Sequence, residues 1–145
     1  AAMGESTARE LFQLRLVMEI GLADLVFPRR TEASLAAIER IVIREEERPD
    51  DRVLYKECDI QFHAELYKMA GNEVISRFQS LLAPYFELVM KTMPPVDRSD
   101  PGYCTHRGLL DVLKTGTASE FRDAMRRHLK QPVEYFCGTY HRRDE

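Results

Sequence analysis

Long apolar runs are missing from this sequence. No stretch approaches the ~18 apolar residues of a membrane-crossing helix. The first residues, Ala1 to Glu10, carry no apolar segment of the kind that directs secretion, so the expectation is a cytoplasmic protein. Glycine and proline number only seven each in 145 residues, which excludes a collagen-like or linker-like chain. Cysteine is scarce: Cys58, Cys104 and Cys137 form an odd set without a C-x-x-C pair. That excludes a disulfide framework and a zinc ribbon and fits a reducing compartment. Each reads as a small buried hydrophobe. Excess positive charge is also absent. The net charge is -3 and the pI near 5.9, which argues against a stretch whose own task is to grip nucleic-acid phosphates.

What remains is an ordinary soluble composition, 44% hydrophobic and 31% charged, of a length that suits one domain over residues 1–145 or one domain cut from a longer protein. Residues 1–5 read as a vector remnant or a frayed end. The apolar period is helical throughout, with no alternation that would make a strand. A first helix is predicted over Ser6–Phe27, with Leu11, Leu14, Met18, Leu22 and Leu25 on its stripe and Pro28 as its stop. Thr31 caps a second helix, Glu32–Glu47, that buries Leu35, Ile38 and Val42 or Ile43. The aspartates of the turn 48–51 cap a third, Arg52–Ala70. Gly71 and Asn72 separate it from a fourth, Glu73–Met93, in which Pro84 predicts a kink. After a loop, Asp100-Pro101 reads as the start of a fifth helix that runs to Lys114. Thr117 to Glu120 is a capping box that opens a sixth, reaching Tyr140. The expected architecture is all-α: an antiparallel bundle of about six helices with a central cavity for a metal and a ligand.

Polar residues on apolar stripes carry the chemistry. On the third helix the inward face runs Tyr55, Phe62, Leu66 and Ala70, and Asp59 and His63 lie on it. Their i, i+4 spacing projects both side chains from one face, where they can grip one ion. His106 continues the Leu109, Leu110 and Leu113 stripe, and His128 follows Phe121 by seven residues on the sixth helix. Of the four histidines only His141 does not point inward. Buried imidazoles need hydrogen bonds and a buried carboxylate needs a partner. One divalent cation bound by Asp59, His63, His106 and His128 would satisfy all four, with zinc the first choice and nickel, manganese or iron alternatives. Against this stands a set of separate, individually satisfied core residues. Cys104, two residues from His106, points elsewhere.

Several chemistries lack their motifs. No H-E-x-x-H occurs, and Ile60, Tyr103, Met125 and Gly138 stand three before the histidines, so no E-x-x-H occurs either. G-x-S-x-G, Walker A and G-x-G-x-x-G are missing too. Arg15 falls on the first helix's stripe, and two readings stay open: a local pair with Glu19, or a clamp for a ligand carboxylate.

The stretch Asp59-Ile-Gln-Phe62-His63-Ala-Glu-Leu66, followed by Ala70-Gly71-Asn72, resembles the D-x-x-F-H-x-x-L…A-G-N signature of the FadR-type C-terminal domain, the FCD domain of GntR-superfamily transcription regulators. His106 to Gly116 resembles that family's H-x-x-L-L-x-A-L-x-x-G segment, with Val112 in place of alanine. Ala124-Met125-Arg126-Arg127-His128-Leu129 resembles its A-M-x-x-H-L, and Leu11, Arg15 and Glu19 match its first helix. The resemblance implies a metal on Asp59, His63, His106 and His128 and a small carboxylate effector at or beside it; on the physical reading a carboxylate or hydroxy-acid could chelate the ion there, and Arg15 could meet its far end. It also implies a homodimer, not an enzyme, that reaches DNA through a winged-helix domain missing from this chain. The alternative is a metal-dependent enzyme acting on a small organic acid.

Overall fold

The structure is a computed structural model that describes residues 4–138. Tyr140, the expected end of the last helix, and His141 lie outside the described residues, as do residues 1–3. The described residues form an all-α bundle: α1 (Glu5–Gly21), α2 (Ala23–Val26), a 3-10 turn (Phe27–Arg29), α3 (Glu32–Glu47), α4 (Arg52–Met69), α5 (Glu73–Met90), α6 (His106–Thr115), α7 (Ala118–His128) and α8 (Lys130–Cys137). None of these helices is long and apolar enough to cross a membrane.

Local chemistry sets most of the boundaries. Thr31, Asp51, Asn72, Thr105 and Thr117 each accept a backbone N–H of the following first turn, at 3.0 to 3.2 Å. A side-chain cap of this kind contributes about 1 kcal/mol. Gly71 adopts φ +65° between α4 and α5, the left-handed turn that an L side chain resists.

Several boundaries differ from the sequence reading; α5 ends at Met90 rather than Met93, and proline shapes two of the other departures. The first helix breaks after Gly21, and the short α2 behind it tightens into the 3-10 turn where Pro28 has no N–H to return to the carbonyl of Asp24. The expected sixth helix is two helices. Pro132 cannot donate to the carbonyl of His128, and the chain bends at Leu129, with φ -92° and ψ 2°. Asp100-Pro101 does not begin a helix. Asp100 Oδ1 accepts from Gly102 N at 2.8 Å, closing a local turn, and α6 starts at His106 behind Thr105. Pro84, by contrast, lies inside α5, which stays helical to Met90.

α3 packs along α4, α1 against α5, α7 and α8, and α6 against α3 and α7. Phe12, Phe62, Phe121, Leu66, Leu109 and Leu113 are fully buried where these helices meet. Each such side chain contributes roughly 1.5–3 kcal/mol by leaving water. On α3, Val42 is buried and Ile43 is 44% exposed, which resolves that pair. The inward face of α1 is rotated from the leucine stripe: Phe12, Arg15 and Glu19 are buried, while Leu11, Leu14 and Met18 are only half-buried and Leu22, just past the helix, is the member of the stripe that reaches the core. Leucine content misplaced the face because its centre is an ion pair.

Gly71→Ala would force a Cβ into the left-handed region and to 2.9 Å from the Arg29 side chain. We expect about 1–2 kcal/mol of lost stability in chemical denaturation. An unchanged midpoint would show that this turn relaxes freely.

Candidate metal centre

Asp59 and His63 project from the middle of α4, one turn apart. His106 is the first residue of α6, fixed there by the Thr105 cap, and His128 is the last of α7, just before the bend that Pro132 imposes. These segments, distant in sequence, bring one ligand atom from each residue to within 4.8 Å of the others. The atoms are specific. His106 Nε2 lies 3.0 Å from Asp59 Oδ1, His63 Nε2 3.3 Å and His128 Nε2 4.0 Å. His63 Nε2 and His128 Nε2 are 3.2 Å apart.

The other ring nitrogens are all committed outward. His106 Nδ1 donates to Glu45 Oε1 at 2.8 Å, and His128 Nδ1 donates to the Cys104 carbonyl at 2.7 Å. His63 Nδ1 meets Glu19 Oε1, and the second oxygen of Glu19 accepts from Arg15 Nε at 2.7 Å. A proton held on Nδ1 leaves the lone pair on Nε2, and here each Nε2 points to the same spot. Aromatic neighbours fix the rings: Phe62 packs on His106 at 4.6 Å and Tyr103 stacks on His128 at 5.7 Å, centroid to centroid.

The electrostatics fit a cation. Burial opposes ionisation of Glu19, but Arg15 and His63 outweigh it and hold the carboxyl down to about 2. Asp59 is likewise held well below the carboxylate range by His63 and His106 in spite of its burial. Burial works against a charged His106, yet Asp59 and Glu45 push it up to about 9. His63 is also raised, by Glu19 and Asp59 against burial. Burial and the charges of His106 and His63 push His128 well down. The proton on His106 Nε2 thus occupies a place that a metal ion would take. With neutral imidazoles, the carboxylates of Asp59, Glu19 and Glu45 outnumber the Arg15 guanidinium by two charges, which one divalent cation cancels. The donor set, three imidazoles and a carboxylate, suits zinc and its neighbours in the first transition row.

A cavity of about 990 Å³ opens beside this cluster, between α1, α4, α5 and the segment 91–99. Asp59, His63 and Arg15 line it, whereas His106 and His128 lie behind. Five cationic and five anionic side chains face it, so a divalent ion beside Asp59 would make it positive overall. Only the Nε of Arg15 is engaged by Glu19; its Nη groups make no hydrogen bond among the described residues. The local ion pair therefore exists without consuming the end of the guanidinium. Cys104 turns its Sγ toward the Thr105 carbonyl and offers the centre only its own carbonyl.

Sequence reasoning missed Glu45, although a signal was there. Glu45 stands three after Val42 and seven after Ile38, on the buried stripe of α3. Nothing in the sequence could have singled out the Cys104 carbonyl, since every residue has one.

The family model of the FCD domain matches residues 10–131. Among curated proteins, the HTH-type transcriptional regulator LutR of Bacillus subtilis (strain 168) is 22% identical over 147 residues, covering 95% of this chain. The chain spans 66% of the length of that relative. No solved structure matches.

Removing an outer partner should loosen the centre without touching a ligand. Glu45→Ala is expected to weaken zinc binding by about 10- to 100-fold in competition with a chromophoric chelator. Because His106 must give up its proton, zinc uptake at pH 7 should release at least one proton, and affinity should fall as pH falls. Calorimetry in two buffers of different ionisation heat reads that proton directly. A zinc-binding heat independent of buffer would contradict it.

Proposed function

The chain belongs to the FCD domain family, and on that premise we propose that it is the effector-binding part of a GntR-type transcriptional regulator, with a divalent metal as the anchor for a small carboxylate. The observation that carries this reading is the convergence of three Nε2 atoms and Asp59 Oδ1 at the wall of a large cavity. Asp59, His63, His106 and His128 would hold the ion, zinc first, with nickel, manganese or iron fitting the same donors. The ion would supply a fixed positive charge and open coordination positions. The chain's own residues do the rest. Glu19, Glu45 and the Cys104 carbonyl orient the imidazoles, and Arg15, which lines the cavity and leaves its Nη groups unbonded among the described residues, would meet the acid.

An effector that prefers one helix arrangement shifts the population toward it. α1 carries both Arg15 and Glu19, so a ligand on this wall acts on the helix that packs against α5, α7 and α8. A winged-helix domain attached outside residues 1–145, in a dimer, would convert that shift into altered DNA binding. The name of the similar regulator supports such a partner domain. An enzyme on a small organic acid would need a free acid or base at the metal. The two nearest further carboxylates, Glu19 and Glu45, are already bound to imidazoles, which favours the sensor.

Three measurements test the proposal. Zinc removal by a chelator should lower the thermal midpoint. Malate at one hundred times its dissociation constant should stabilise the zinc-loaded protein by about 2.7 kcal/mol. Arg15→Ala should spare zinc affinity and weaken malate, whereas His128→Ala should weaken both. A protein whose midpoint ignores chelator and acids alike would overturn the reading.

A further inference from the structure

Tyr67 lies one turn beyond His63 on α4 and is only 3% exposed. Its hydroxyl is buried with no hydrogen-bond partner among the described residues. The residue lines the cavity together with Arg15, Glu19 and His63. A buried hydroxyl without a partner destabilises the fold, and phenylalanine would fill the same space without that cost. Packing alone therefore gives no reason for the oxygen. The hydroxyl makes no hydrogen bond to Glu19, whose two oxygens meet Arg15 and His63. Burial, and after it the charge of Glu19, hold the phenol far above its ordinary range, so it stays a neutral donor at physiological pH.

Two donors on residues that line the cavity are thus unused among the described residues: the buried Tyr67 hydroxyl and the Nη groups of Arg15. One helical turn separates Tyr67 from His63, about 5.4 Å along the axis. An acid anchored near Asp59 and His63 would bridge that distance with about four carbons, at ~1.5 Å per bond.

We propose that the Tyr67 hydroxyl determines effector specificity, donating with Arg15 to a second carboxylate at the far end of a diacid or hydroxy-diacid of about four carbons. This rests on the metal-anchored reading above. A monocarboxylate would meet the metal end alone and leave Tyr67 unserved.

The test is calorimetric titration of the zinc-loaded protein and its Tyr67→Phe variant with malate and, separately, acetate. The thermal midpoint of each without acid is measured alongside. Tyr67→Phe should bind malate about tenfold more weakly, a difference of about 1.4 kcal/mol. Acetate and zinc affinities should stay the same, and the acid-free midpoint should hold or rise. Equal malate affinity in both proteins would overturn the role of Tyr67 while leaving the metal-anchored reading intact. Equal losses for malate and acetate, or a lowered acid-free midpoint, would also overturn it, by making the hydroxyl a structural group. Failure of the unsubstituted protein to bind either acid would defeat both proposals, and that arm does not involve the variant.

Discussion

Three imidazoles turned inward by bonds on their outer nitrogens form the constraint on which the rest of the structure depends. Each Nδ1 is fixed by a group from elsewhere: Glu19 on α1, Glu45 on α3 and the Cys104 carbonyl just before α6. The centre therefore ties α1, α3, α4, α6 and α7 to one point. A bundle held by apolar packing alone can slide, because dispersion and burial are not directional. Hydrogen bonds with fixed ring planes set the register that packing leaves loose.

The same arrangement explains the polarity buried inside this fold. Arg15, Glu19, His63, His106 and His128 are all buried. Taken singly, each would be costly in a low-dielectric interior. Taken together they form a network that lacks only positive charge at its focus. In the metal-free state the His106 proton supplies part of it. A proton and a bound metal would compete for the same lone pair, so the proposed centre would link ion binding to pH through the residue that begins α6.

Position in the bundle gives the centre two sides. His106 and His128 are backed by Phe62 and Tyr103, while Asp59 and His63 face the cavity with Arg15 and Tyr67. On the proposed reading, one side would fix the ion and the other would stay open to a small anion. The walls of that cavity come from α1, α4 and α5, so a bound acid touches helices that the core itself packs. On the same reading, this is the route by which a signal would leave the site.

The sequence by itself determined the helical class, most of the caps, the Gly71 turn and the inward placement of Asp59, His63, His106 and His128. Those features are local: a 3.6-residue period, a capping oxygen or a left-handed glycine acts within one or two turns. Pro28 and Pro132 were equally local, and their breaks were legible to a reader who followed each missing N–H back four residues. Only the tertiary structure decided which ring nitrogen faces inward, that Glu45 reaches His106, that the Arg15–Glu19 pair rather than leucine centres the inward face of α1, and that Tyr67 keeps an unbonded hydroxyl at the cavity. Each depends on what segments far apart in the chain place beside these residues, even where the pair itself, as with Arg15 and Glu19, is one turn apart. Periodicity says which side of a helix is buried, and nothing in it says what the neighbouring helix presents there.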